Sequence, residues 1–415
     1  MRRLVTSVLM LASLPATGEV PWFDGGHTKA RVLGVNYPDD SVLQASAGEW
    51  ASDQGADLRL KFAASGSRLE LKADYQLQAL FGDSLDFPQQ TQGLLLTTPS
   101  VPDDDRRWWD LTDPISDSDS RAIVQRLDRL HLDYRGDRAV VRFGRQAVTW
   151  GNGLIYTPMD FFNPFDPAAV DTEYKFGDDM LYGQFLLDSG SDWQFVSVQR
   201  RDEEGDVDSA VSSTAIKFHV FGLDREFDLL LADHYDQTVV GAGGLLNLGE
   251  AVVRGDVTFT DARDGWETSL VVNWSWSWVW GGHNVSAVTE YFYSGFGLKE
   301  SDYSPENVRE NRDLVERLER GELFTIGRHY LAGSLLVELT PLLNLTHNLF
   351  LNAEDGSALA QLVLQWDLAR DWQLLGSLGV PLGASNTEYG GLDTGLDGQT
   401  LEVGPSLFAQ IAWYF

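Results

Sequence analysis

No cysteine occurs among the 415 residues. That absence excludes a disulfide framework, a cysteine nucleophile, thiolate metal sites and haem attached through C-x-x-C-H. Positive charge is scarce: 31 Lys+Arg stand against 62 Asp+Glu, a formal charge of −31. A nucleic-acid binder presents a basic face, so nucleic acid is excluded as a partner. Long apolar runs are missing too. No segment after the first twenty residues has the eighteen uninterrupted apolar residues of a spanning helix. A mean hydropathy of −0.20 and an apolar fraction of 43% exclude a polytopic helical membrane protein. They do not exclude a β-barrel, in which only alternate residues face lipid. The length suits either two or three soluble domains or one closed all-β architecture.

What is present begins with an address. Arg2 and Arg3 precede the apolar stretch Leu4 to Leu14, and Ala16-Thr17-Gly18 offers small residues before Glu19. This is the layout of an export signal over 1–18, too short to span a bilayer as a helix. A period of two then runs along the chain. Leu69, Leu71, Ala73, Tyr75, Leu77 and Ala79 alternate with Arg68, Glu70, Lys72, Asp74, Gln76 and Gln78. The pattern returns at Leu270 to Trp278 and at Ala360 to Leu368, where a helix would scatter the Trp residues around its circumference. Strands this long, with aromatics near their ends (Trp274, Trp276, Trp278, Trp280), favour a membrane barrel over a secreted sandwich or propeller.

Connections alternate between two kinds. Short ones such as Ala64-Ser65-Gly66, Arg135-Gly136-Asp137 and Ala369-Arg370-Asp371 fall between longer polar ones at 37–56, 81–120, 149–179, 202–210, 294–327 and 381–400. Short turns on one side and long loops on the other are the asymmetry of outer-membrane barrels. Counting on that basis gives eighteen strands from 29–36 to 401–415, or sixteen if a pair is miscounted, with both termini on the short-turn side. The expected fold is all-β, a single transmembrane antiparallel barrel over 19–415.

Two segments carry a resemblance. The chain ends on Val403, Pro405, Leu407, Ala409, Ile411, Trp413 and Phe415 along one face, similar to the terminal aromatic strand by which bacterial outer-membrane barrels are recognised for assembly. In the middle, Arg142-Phe143-Gly144-Arg145-Gln146 leads to Trp150-Gly151-Asn152-Gly153, Pro158-Met159-Asp160 and Asn163-Pro164-Phe165-Asp166-Pro167. This resembles porin-like outer-membrane barrels, in which such a strand runs into a loop folded toward the lumen. The match covers about thirty residues and names no substrate. It implies a constriction loop over 149–179 carrying Trp150, Asn152, Asp160, Asn163, Asp166 and Lys175, with Trp413 and Phe415 as the assembly signal. It also implies outer-membrane lipid, lipopolysaccharide and the barrel-assembly machinery as partners, in a Gram-negative outer membrane. Self-association stays open.

The residues support that loop independently. Its Gly and Pro punctuation and seven aromatics suit a compact segment packed inside a barrel, although packing on neighbouring loops outside fits as well. A bulge at Gly144 would explain why Arg145 shares the parity of Val141 and Phe143. On the polar parity of strands two to five lie Arg59, Lys61, Arg68, Lys72, Arg129 and Arg142, with Glu70, Asp74 and Asp133. Such a basic ladder attracts anions in a pore, unless the charges pair across strands.

Acidic clusters at Asp103-Asp104-Asp105 and Asp202-Glu203-Glu204 sit in loops. No complete D-x-D-x-D-G loop accompanies them, so no metal site is assigned. In loop 294–327, Ser304 and Pro305 start a helix with an apolar stripe at Val308, Leu314, Val315 and Leu318, ending at Gly321. No H-E-x-x-H, G-x-S-x-G or Walker motif occurs, so no catalytic residue and no cofactor is assigned. An acyl hydrolase assembled from separate strands is the one enzyme reading left. The expected activity is passive diffusion of small hydrophilic, in part anionic, solutes. A barrel that exports or sheathes a polysaccharide or partner protein, or a structural scaffold, is the alternative.

Overall fold

The computed structural model describes residues 22–87, 101–118, 120–299 and 301–415; the export signal expected at 1–18 lies outside them. The first strands are β1 (Phe23–Asn36), β2 (Trp50–Ser65), β3 (Leu69–Gly82), β4 (Arg121–Arg135), β5 (Ala139–Gln146) and β6 (Asp178–Leu186). Next come β7 (Asp192–Val198), β8 (Ser213–Val220), β9 (Arg225–His234), β10 (Gln237–Leu248), β11 (Ala251–Ala262) and β12 (Gly265–Trp280). The circuit ends with β13 (His283–Ser294), β14 (His329–Thr340), β15 (Leu343–Asn352), β16 (Ala358–Ala369), β17 (Trp372–Leu382) and β18 (Ser406–Tyr414). Each pairs antiparallel with the next, and β18 pairs back onto β1 from His27↔Tyr414 to Val35↔Ser406. Eighteen strands therefore close one barrel, the closure by which a sheet can satisfy its backbone in a bilayer.

The seam depends on the last residue. Gly26 N–H donates to the Phe415 carbonyl at 2.8 Å and Phe415 N–H donates to the Gly26 carbonyl at 3.1 Å. Outside, the Phe415 ring lies 4.8 Å from Trp413 and 6.3 Å from Phe23. The alternation read from the sequence is the alternation of faces. In β9, Leu229 and Leu231 are exposed to the outside while Asp228, Leu230, Ala232 and His234 are buried inward. Trp274, Trp276, Trp278 and Trp280 are exposed outside β12, running to its short-turn end.

The second strand starts at Trp50, inside the loop expected at 37–56, and the last at Ser406 rather than 401; three further differences from the expectation have local causes. The first strand starts at Phe23, six residues before the expected 29, because Asp24-Gly25-Gly26 break the alternation at a register shift. Gly144 makes no bulge: β4 and β5 pair without a shift through Leu130↔Arg145. Gly144 instead has φ +127°, and a Cβ there would sit 2.1 Å from the Leu130 carbonyl. Arg145 is on the outward parity but fully covered, held by Asp179 at 2.9 Å and Asp104 at 2.7 Å. The third difference is that the single helix of loop 294–327 is two, α1 (Pro305–Glu310) and α2 (Arg312–Glu319). Ser304 makes no side-chain cap, whereas Asn311 breaks the helix and caps α2 by accepting from Leu314 N–H at 3.1 Å.

β5 has only eight residues and stops at Gln146, leaving the upper edge of β4 unpaired by the barrel circuit. A short strand, Thr112–Ser118, fills it, pairing from Thr112↔Arg126 to Ser118↔Arg121. Arg107, Arg145 and Arg201 fix the preceding segment 104–111 to the wall. At the long-loop end, side chains from several loops (Tyr37, Leu43, Phe296, Leu314, Leu323, Leu392) join Phe292 and Tyr330 of the wall in one apolar cluster.

Candidate functional site

The early end of β5 releases the chain into the barrel. Residues 147–177 touch both sides of the wall, so they cross the lumen. At one end of the crossing, five consecutive backbone N–H groups meet two carboxylates. Asp256 on β11 accepts from Asn152 at 2.5 Å and Gly153 at 3.2 Å. Glu290 on β13 accepts from Leu154, Ile155 and Tyr156 at 2.8, 3.2 and 2.6 Å. Such charge-assisted bonds are stronger than neutral ones. The chain turns this tightly because Gly151 has φ +95° and because a Cβ at Gly153 would lie 1.9 Å from the Tyr156 carbonyl. At the other end, Asp171 and Glu173 accept from Lys29 on β1 at 2.6 and 2.7 Å, and Asp171 also accepts from Gln410 on β18.

Between these ends the loop meets two unlike surfaces. Toward β6–β10 it packs apolar side chains (Val148, Trp150, Met159, Phe161, Phe162) on inward-facing Met180, Val196, Val198, Ala215 and Leu230. Toward β1–β4 it leaves a cavity of about 670 Å³. The cations lining that cavity are Lys29, Arg31, Arg59, Lys175 and Arg320. Its carboxylates are Asp57, Asp128, Asp166, Asp171 and Glu319.

The six loop residues singled out by sequence divide between these surfaces. Trp150 is buried, donating from Nε1 to Gln194 at 2.7 Å and lying edge-on to Phe162 at 5.6 Å. The Asn152 amide donates to Asp256 at 2.8 Å and Asp228 at 3.2 Å. Lys175 donates to both oxygens of Asp160 at 2.7 Å and to the Val148 carbonyl at 2.6 Å, tying the two ends of the loop together. Burial pushes the Asp160 carboxyl up to about 6 even against that ammonium. Asn163, at φ 54°, and Asp166 line the cavity. Burial also raises the Asp166 carboxyl.

The six wall cations do not form one cluster. Arg59 is buried between Asp128 at 2.7 Å and Asp74 at 3.5 Å, with its guanidinium 4.0 Å from the centre of the Tyr174 ring. Arg129 pairs with the same Asp128 at 2.8 Å and donates to the Lys175 carbonyl. Toward the short turns, Arg142 holds Asp133 through two bonds of 2.7 and 3.1 Å, Lys72 lies 3.9 Å from Glu70, and Arg68 lies 3.6 Å from Asp137. Lys61 makes no hydrogen bond or close ion pair among the described residues and faces Asp74 across the β2–β3 ladder. Sequence parity missed two acids that balance this wall. Asp57 shares the parity of Arg59 and was legible; Asp128 was hidden by the register shift in the β3–β4 ladder at Asp74/Tyr75. Lys29 and Arg31 were also missed as lining groups, though both lie within the expected first strand.

The helical loop closes over the same lumen. Glu322 accepts from His234 at 2.9 Å, Arg317 at 3.0 Å and Arg320 at 2.7 Å. Burial opposes its charge, yet His234 and the two guanidiniums hold its carboxyl well below the usual range. His234 Nδ1 meets Ser213 Oγ at 2.7 Å, a serine–histidine–glutamate line assembled from separate elements. Arg200 donates to that same Oγ at 2.7 Å and Ser213 is buried, so the line joins loop to wall rather than facing a substrate. On the far side, Glu388 accepts from Tyr330 at 2.6 Å, Asn352 at 2.8 Å and Ile326 N–H at 3.1 Å. Burial pushes its carboxyl up to about 7.

No protein-family model and no curated protein matches the sequence. Solved structures do match in shape. Wzi of Escherichia coli, described as an outer-membrane protein involved in group 1 capsule assembly and a carbohydrate-binding β-barrel, superposes with a TM-score of 0.52 at 12% identity, over 93% of this chain and 83% of Wzi. OccK7 of Pseudomonas aeruginosa gives 0.52 at 8% identity, over 95% of this chain and 99% of its own. OccAB4 of Acinetobacter baumannii gives 0.50 at 10%, over 94% and 97%. Likenesses at these identities establish the fold alone: the chain has the closed antiparallel β-barrel architecture of these proteins.

Proposed function

We propose that the chain is an outer-membrane channel for passive diffusion of small hydrophilic solutes, with loop 147–177 as its constriction. The observation that carries this reading is the loop itself. It is anchored to opposite walls by carboxylates and an apolar patch, and it leaves a polar cavity beside β1–β4. An outer face of exposed apolar side chains and a charged interior suit a barrel that passes water-soluble cargo through lipid. The pairing of Arg59, Arg129 and Arg142 leaves little surplus positive charge, so anion preference is weak and rests on Lys61 and Arg31. Reconstitution into planar bilayers tests the reading: stepwise conductance with weak ion selectivity is expected, and its absence from correctly folded protein overturns it.

A second reading draws on the apolar cluster that joins the loops at the mouth. A barrel stoppered there suits a surface-binding, sheathing or scaffold role, in line with the fold shared with the carbohydrate-binding Wzi. Under that reading, folded protein conducts nothing and removal of the protein alters retention of surface polysaccharide on cells.

A further inference from the structure

The cavity beside β1–β4 has a feature that a water-filled passage does not need. Phe176 is 50% exposed, and it lines this cavity rather than the lipid face. Its ring lies 5.5 Å from the guanidinium of lumen-facing Arg126, and Tyr174 lines the same surface two residues earlier. A bare aromatic ring among charged groups is poorly solvated, and a ligand with an apolar face relieves that.

The polar groups around it suit a neutral ligand. The lining carries five cations and five carboxylates, so a net charge on the ligand gains nothing from the pocket as a whole. Gln78 and Arg31 line the cavity without a hydrogen-bond partner among the described residues. The Gln78 amide offers both a donor and an acceptor, and Arg31 offers donors. Acceptors and donors therefore stand together, and a hydroxyl group serves both because it donates and accepts. The volume of about 670 Å³ falls within the range of about 300–1,000 Å³ usual for small-molecule sites.

We propose that this cavity is a binding site for a neutral polyhydroxylated solute, a mono- or disaccharide. One face of a sugar ring stacks on Phe176, and Gln78 and Arg31 engage its hydroxyls. As a passing solute the sugar rests on the channel reading; the site itself does not.

Two measurements separate these. Isothermal titration of the detergent-solubilised full chain with sucrose should give saturable binding, weakened at least tenfold by Phe176→Ala and several-fold by Gln78→Ala. Phe176→Tyr should preserve it, and heat-modifiable migration should show each variant folded. Succinate should neither bind nor displace sucrose. Sucrose binding unchanged in Phe176→Ala, or succinate binding in place of sucrose, overturns the proposal. In bilayers, sucrose should interrupt the current. Sucrose binding without conductance upholds the site and removes the channel reading; conductance without sucrose binding removes the site alone.

Discussion

The lumen has a dry side and a wet side, and one loop meets both. Against β6–β10, Trp150, Met159 and Phe162 enter a patch of inward apolar side chains and are almost fully buried. Against β1–β4, the same loop ends on ion pairs and an open cavity, with Phe176 half exposed. Close-packed apolar contact fixes a segment in one position, while ion pairs bordering water contribute little each. The difference suggests a division of labour in which the dry side holds the constriction in place and the wet side leaves room for a solute.

Truncation on each side should break this symmetrically placed pair unequally. Phe162→Ala removes a ring that is 1% exposed, and a cost of roughly 3–5 kcal/mol is expected. Phe176→Ala should cost less than about 1 kcal/mol, because its ring already meets solvent. Thermal unfolding in detergent, with limited proteolysis of residues 147–177, reads both. Equal destabilisation would abolish the distinction between the sides.

The carboxylate latch should come next. Glu290→Ala leaves the N–H groups of Leu154, Ile155 and Tyr156 without an acceptor, at an expected cost of about 2–4 kcal/mol. The freed loop should raise single-channel conductance. On the wet side, Asp171→Ala removes one of two acceptors from Lys29, and a smaller change is expected because Glu173 remains. Conductance unaltered by Glu290→Ala would mean the loop does not set the pore.

How much of this was legible follows from what each signal depends on. Period two reports which face a residue takes, so the strands from Arg121 to Leu382 sit close to where alternation put them. Alternation says nothing where it is interrupted, and both the start at Phe23 and the position of Asp128 were lost at register shifts. The loop sequence signalled compactness through its aromatics and glycines. Its anchors were invisible, because Asp256 and Glu290 lie 104 and 134 residues away along the chain. They sit on a lumen parity where any acid looks alike. Pairing also escaped the reading: a ladder of cations is conspicuous in a sequence, but whether each meets an acid depends on side-chain reach across strands.

Acidity should affect the loop layer over the mouth. Glu388 has its carboxyl pushed up to about 7 from an ordinary 4.5. Between those values the folded state keeps a proton that the unfolded chain has lost, so stability is full below about pH 4.5 and falls as pH rises through 7. The expected loss is roughly 2–3 kcal/mol between pH 5 and 8. Asp160, raised to about 6, adds a slope of the same sign. Glu322, held low, loses its contribution only under strong acid and stays outside this window. Glu388→Gln should flatten much of the dependence when melting temperatures are compared at pH 5 and pH 8. An unchanged slope would assign it elsewhere.

The smallest effect concerns Lys61 on the wet side, set against its buried neighbour Arg59. Arg59 is buried and paired, so Arg59→Gln removes the nearest cation from Asp74 and leaves Asp128 to Arg129, at a cost of roughly 3 kcal/mol in stability. Lys61 makes no such close pair: it faces Asp74 in register, but the nearest cation to that carboxylate is Arg59. Lys61→Gln should therefore leave the melting temperature unchanged and act only through the field in the pore. Two unit charges about 10 Å apart in water interact by about 0.4 kcal/mol, close to twofold in local ion concentration. Chloride is depleted and potassium enriched by that factor each, so the chloride-to-potassium permeability ratio should fall by up to about fourfold in dilute salt. Screening reaches about 10 Å at 0.1 M and about 3 Å at 1 M, so the difference from wild type should vanish in concentrated salt. Reversal potentials of both proteins at the two salt levels decide it. A Lys61→Gln channel with unaltered selectivity in dilute salt would mean that the ions pass away from the β1–β4 wall, and the wet side would lose its claim to be the conducting side.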